Sequence, residues 1–122
     1  MTLITQSQLE QLLANGQAQR AAIDNDQGAI DFKPVVKLFT PDAQCTWLLT
    51  EIDPDHELGF GLCDLGMGEP ELGYVSLTEL RTVRGKLGLP VERDEHFDVD
   101  RTLYAYAYAY ADEARQRRRI VK

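Results

Sequence analysis

Three carboxylates gather around one glycine-rich turn. Asp64 precedes Gly66-Met67-Gly68, and Glu69 and Glu71 flank Pro70. Carboxylates at such spacing can act as an acid and base pair or hold a divalent cation. An enzyme also needs a nucleophile, an oxyanion stabiliser or a completed ligand set. The chain offers no such constellation, so no catalytic residue, metal ligand or cofactor is assigned, and the reading leans away from an enzyme. A small metal-binding or hydrolytic domain using Asp64, Glu69 and Glu71 stays as the alternative. It requires those side chains to converge in one cleft.

The turn does not read as a phosphate loop. Glu69-Pro70-Glu71 stands where a Gly-Lys-Ser/Thr end is needed, its carboxylates repel phosphate, and Pro70 has no N–H to donate. Cys45, Cys63, His56 and His96 show no zinc spacing. Both cysteines fall in expected strands and read as small buried hydrophobes. His56 in an Asp-rich turn reads as exposed, and His96 beside Phe97 as packed or on the surface.

Charge says more than any motif. The net charge is −7 over 122 residues. The last ten residues carry +4, from Arg115, Arg117, Arg118, Arg119 and Lys122 against Glu113, which leaves −11 on the rest. Glu51, Asp53, Asp55, Glu57, Asp64, Glu69 and Glu71 follow one another with no Lys or Arg between them. Such a body repels nucleic acid and suits a basic protein partner, so these seven are the candidate partner-binding residues. A DNA-associated module using the Arg-rich tail is a further alternative, opposed by the acidic body. The N-terminus lacks a basic stretch followed by a long apolar core, and no run approaches the roughly 18 apolar residues of a membrane span. The cytoplasm is the expected location.

The elements that must position these residues form a single α+β domain over 1–122. A first helix over 2–15 carries Leu9, Leu12 and Leu13 on one stripe, is capped by Thr5 or Ser7, and stops at Asn15-Gly16. Residues 16–32 read as a loop that can hold a turn of helix. Strands follow over 34–39, 45–52, 58–64 and 71–75, joined by short turns into an antiparallel meander, with Trp47 and Leu49 opposite Leu48 and Thr50. Ser76 caps a middle helix over about 77–87, ended by Gly85 and Gly88. Residues 89–94 are extended, as an edge strand that tolerates Pro90. The sheet thus has four to five short strands.

Tyr104, Tyr106, Tyr108 and Tyr110 alternate with alanine, a period-two pattern that suggests a strand. Alanine favours helix, and Leu103, Ala107, Tyr110 and Ala114 share one helical face, so a long C-terminal helix over about 101–118 is expected. Asp98 or Asp100 caps it. Tyr104 and Tyr108 form an aromatic strip that either meets a partner or packs on the sheet. Residues 115–122 form a basic tail that frays.

Several runs together resemble a small domain-of-unknown-function family found on bacterial plasmids, integrative elements and phages. They are Lys37-Leu38-Phe39-Thr40-Pro41-Asp42-Ala43, Thr46-Trp47-Leu48-Leu49-Thr50-Glu51, Phe60-Gly61-Leu62-Cys63-Asp64-Leu65-Gly66, Pro70-Glu71-Leu72-Gly73-Tyr74-Val75-Ser76-Leu77 and Leu89-Pro90-Val91-Glu92-Arg93-Asp94. The resemblance spans about residues 34–107, and the Tyr-Ala repeat and Arg-rich end read as particular to this chain. It implies a mobile-element setting and carries over no catalytic residue. Charge and resemblance together point to a non-enzymatic accessory protein that binds a basic host nucleic-acid-processing protein. Its sharp form is an anti-defence role, anti-CRISPR or antirestriction, in which the acidic run imitates DNA phosphates.

Overall fold

In the computed structural model, which describes residues 3–53, 55 and 57–121 and side chains through residue 117, Thr5 opens the first helix with a reciprocal cap. Its hydroxyl accepts from the Gln8 N–H, and the Gln8 side chain accepts from the Thr5 N–H, both at 3.1 Å. This helix, α1, runs over Gln6–Asp24. It passes straight through the expected stop at Asn15-Gly16. Ala14, Ala18, Ala21 and Ala22, mixed with Gln and Arg, are good helix formers. Asn15 and Gly16 instead face the sheet. The helix ends where Asp26 takes a φ of 61°. There the Asp26 and Gln27 N–H groups return to the carbonyls of Ile23 and Ala22 at 3.1 and 2.8 Å.

Five strands follow: β1 (Val36–Phe39), β2 (Thr46–Asp53), β3 (Leu58–Asp64), β4 (Glu71–Ser76) and β5 (Glu92–Arg93). They form one antiparallel sheet in the order β4-β3-β2-β1-β5. The fold is α+β, as expected. The two edges differ. β5 is two charged residues, whereas β4 pairs with β3 through six consecutive positions without a bulge.

The register of β2 against β3 slips between Leu49 and Glu51. Strict alternation would place Glu51 beside Trp47 and Leu49. The extra residue at Thr50 reverses the parity. Ile52 joins Trp47 and Leu49 in the main core, and Glu51 turns to the other face, opposite Phe60 and then Tyr74. β1 ends opposite Leu49, so it does not reach this part of β2. α1 crosses there. Asn15 Nδ2 donates to the Thr50 carbonyl at 2.8 Å, and a Cβ on Gly16 would collide with the Ile52 carbonyl.

The main core packs Leu12 of α1 against Val36, Leu38, Trp47, Leu49 and Ile52. Leu77 and Leu80 of a one-turn helix, α2 (Leu77–Leu80), complete it. Ser76 caps α2 as expected, accepting from the Glu79 N–H at 3.2 Å. The expected length to residue 87 is corrected. Asp42 Oδ2 accepts from the N–H groups of Leu87 and Leu89, at 2.6 and 3.2 Å, and Arg84 bridges Pro90. These long-range bonds hold 84–90 as a loop. Cys45 and Cys63 are free, half-buried and packed against this core.

On the opposite face, Leu48 and Leu62 meet Leu103 and Tyr106 of α3 (Leu103–Val121). The helix reading of the Tyr-Ala repeat holds, and its segment 115–121 is helical rather than frayed. The expected cap at Asp98 or Asp100 is corrected. Asp31 Oδ1 accepts from the Tyr104 N–H at 3.2 Å, and the Phe32 carbonyl accepts from the Leu103 N–H at 2.9 Å. Asp100 instead accepts from the Tyr106 hydroxyl at 2.9 Å. Among the described residues no helix is long and apolar enough to cross a membrane.

Candidate partner-binding cleft

The meander decides where the seven carboxylates of the acidic run go. Asp53, Asp55 and Glu57 lie at the β2–β3 turn. Asp64, Glu69 and Glu71 lie at the β3–β4 loop. The length of β3, about 20 Å by strand rise, separates the two groups. The run therefore does not form one row. Asp53 and Asp55 share Arg20, whose guanidinium donates to each at 2.9 Å. Asp64 folds back on its own turn, accepting from the Gly66 N–H at 2.9 Å. Glu57, Glu69 and Glu71 are exposed.

Glu51 departs from the expected acidic face. It is 7% exposed, because the bulge turns it from the face of Ile52 to that of Phe60 and Tyr74, within reach of the Gln19 side chain. Gln19 of α1 positions it. The Gln19 side chain accepts from the Ile30 N–H at 2.7 Å and donates to the Ile30 carbonyl at 2.9 Å, which staples the following connection to the helix. The same Nε2 donates to Glu51 Oε1 at 3.2 Å, and the Thr50 hydroxyl donates to that oxygen at 3.3 Å. Oε2 accepts no hydrogen bond among the described residues. Burial pushes the Glu51 carboxyl above its ordinary range, and the bonds from Gln19 and Thr50 pull the other way.

Two adjoining hollows of about 160 and 130 Å³ open on this carboxylate and share Gln19, Ile23, Glu51 and Tyr74. The second extends to Ile30, Phe60 and Tyr104. Ile23, Ile30, Tyr74 and Tyr104 are all exposed large hydrophobics. Phe60 and Tyr74 meet edge to face, with ring centroids 5.0 Å apart. The result is a buried acid ringed by solvent-facing apolar groups. Among the described residues no Ser, Cys, His or Lys lines either hollow.

The aromatic strip expected on α3 faces solvent: Tyr104 reaches the cleft, and Tyr108, one turn on, is 79% exposed. The face shared by Leu103, Ala107, Tyr110 and Ala114 packs inward, joined by Tyr106. Gln19 and Tyr74 were not foreseen as site residues. Tyr74 sits in a readable strand, but nothing in a linear pattern places it beside Glu51. Asp64, Glu69 and Glu71 do not converge. Among the described residues no three His, Cys, Asp or Glu side chains are grouped to hold a metal ion. His96 is exposed, and His56 lies outside the described residues. Arg115 pairs with Asp112 at 3.2 Å, while the side chains of Arg118, Arg119 and Lys122 lie outside them too.

The family model described as "Protein of unknown function (DUF2958)" matches residues 3–121. The matched span takes in the Tyr-Ala repeat and most of the Arg-rich end, and so extends beyond the 34–107 of the resemblance. No curated protein and no solved structure matches the chain.

Proposed function

The chain belongs to the DUF2958 family, and from its surface we propose that it is a non-enzymatic accessory protein of a mobile genetic element that works by binding another protein. The observation that carries this reading is the ring of exposed Ile23, Ile30, Tyr74 and Tyr104 around the buried Glu51 carboxylate. Exposed apolar groups concentrated beside a desolvated polar centre are the anatomy of a protein-recognition surface. The acidic body favours a basic partner, such as a host protein that processes nucleic acid in the cytoplasm. An anti-CRISPR or antirestriction role is the sharp form of this proposal. Its phosphate-mimic version draws less support, since the carboxylates are split between two ends of the sheet and Glu51 is buried.

Affinity capture from host extract, with the double variant Tyr74→Ser/Tyr104→Ser alongside, tests the reading. A basic protein retained by the parent and lost by the variant is expected. A parent and variant that retain the same proteins would overturn it.

A further inference from the structure

We propose that the Glu51 cleft is the receptor for one cationic side chain, a guanidinium or ammonium on an aliphatic stem, presented by the partner protein. This rests on the partner-binding reading above and adds the chemistry of its central contact.

Glu51 is nine-tenths buried, yet one of its oxygens accepts nothing among the described residues, and it lines both hollows. That oxygen opens onto the hollows rather than being sealed, so it stands ready for an incoming donor, and a charged donor complements a carboxylate best. The chain itself brings none. Among the described residues Arg20 is the cation of the first hollow, held by Asp53 and Asp55, and no Lys or Arg lines the second. The walls are suited to the stem and head of such a side chain. Phe60, Tyr74 and Tyr104 line the second hollow and give it aromatic and apolar wall of the kind that cations and methylenes pack against.

Other ligand classes fit less well. An anion would meet Glu51, Asp24, Asp31 and Asp53 along the two hollows. A purely apolar group would seal the carboxylate without compensation. A metal ion lacks a ligand set among the described residues. Size is consistent: each hollow approaches the roughly 150 Å³ that accommodates a benzene ring, and a guanidinium is smaller.

The test is an amide chemical-shift titration of the full chain with N-acetyl-arginine methylamide, its lysine counterpart and its neutral citrulline isostere. The arginine and lysine probes are expected to shift Gln19, Glu51, Tyr74 and Tyr104, and citrulline to leave them in place. Glu51→Gln keeps the shape and should weaken the arginine probe about tenfold or more. Tyr74→Ser, at an exposed position, should weaken it as well and serves if Glu51→Gln does not fold. Equal shifts with citrulline, undiminished binding to the variants, or shifts confined to Asp64, Glu69 and Glu71 would overturn the proposal. Capture of one partner equally by parent and Glu51→Gln would sink the cleft assignment alone. Loss of all capture with an intact arginine response would sink the partner reading instead.

Discussion

The side-chain amide of Asn15 donates to the main-chain carbonyl of Thr50 at 2.8 Å, and this buried bond ties the middle of α1 to the strand that carries Glu51. It serves a stretch of β2 that β1 does not reach. Asn15→Ala removes the donor and is expected to cost about 1–3 kcal/mol. Urea unfolding measures it. A change within about 0.5 kcal/mol, the range of ordinary surface substitutions, would remove Asn15 from the docking account.

Gly16 gives a test by sign. In a free helix, Gly→Ala gains roughly 0.5–1 kcal/mol. Here the new methyl would strike the Ile52 carbonyl, so α1 must lift from β2. Gly16→Ala is expected to destabilise by about 1–3 kcal/mol, as overpacking does. A stabilised variant would show that α1 is free to shift.

The Glu51 carboxyl is raised above 4.5, chiefly by burial. The folded chain therefore holds this proton more tightly than the unfolded chain does. Ionised Glu51 costs stability above its folded pKa, and that cost fades as pH falls towards 4.5. Glu51→Gln should resist urea better than the parent near about pH 7, with the gap closing by about pH 4. A variant that is less stable at neutral pH would mean that the carboxylate is already compensated.

Tyr108 separates binding from folding. It is 79% exposed. Tyr108→Ala should change unfolding stability by less than about 0.5 kcal/mol. If α3 presents its aromatic strip to the partner, the same variant should lower retention in affinity capture. Unchanged retention would confine the contact to the cleft.

What the linear pattern shows and what it hides follow from the range of the forces involved. β3, β4 and their turn were legible because alternation, Gly66, Gly68 and Pro70 act locally. The C-terminal helix was legible because alanine propensity outweighs a period-two tyrosine pattern. Asn15-Gly16 misled, since a dipeptide that ends helices in isolation is here the place where a helix meets a sheet. Residues 84–90 misled because Asp42, more than forty positions upstream, captures their amides. Glu51 was legible as one carboxylate of the acidic run but not as a buried one. Its orientation depends on one extra residue in β2, which no spacing rule reveals.

The unequal sheet edges have a colloidal consequence. β4 exposes six regular positions with Leu72 and Tyr74 outward, and contains neither lysine nor proline to blunt it. Glu69 and Glu71, both exposed beside this edge, set like charge against the pairing of one copy's edge with another's. That protection is a field, not a wall. It weakens as added salt shortens the screening length from about 10 Å at 0.1 M towards about 3 Å at 1 M. Light scattering should therefore show copies joining edge to edge as ionic strength rises.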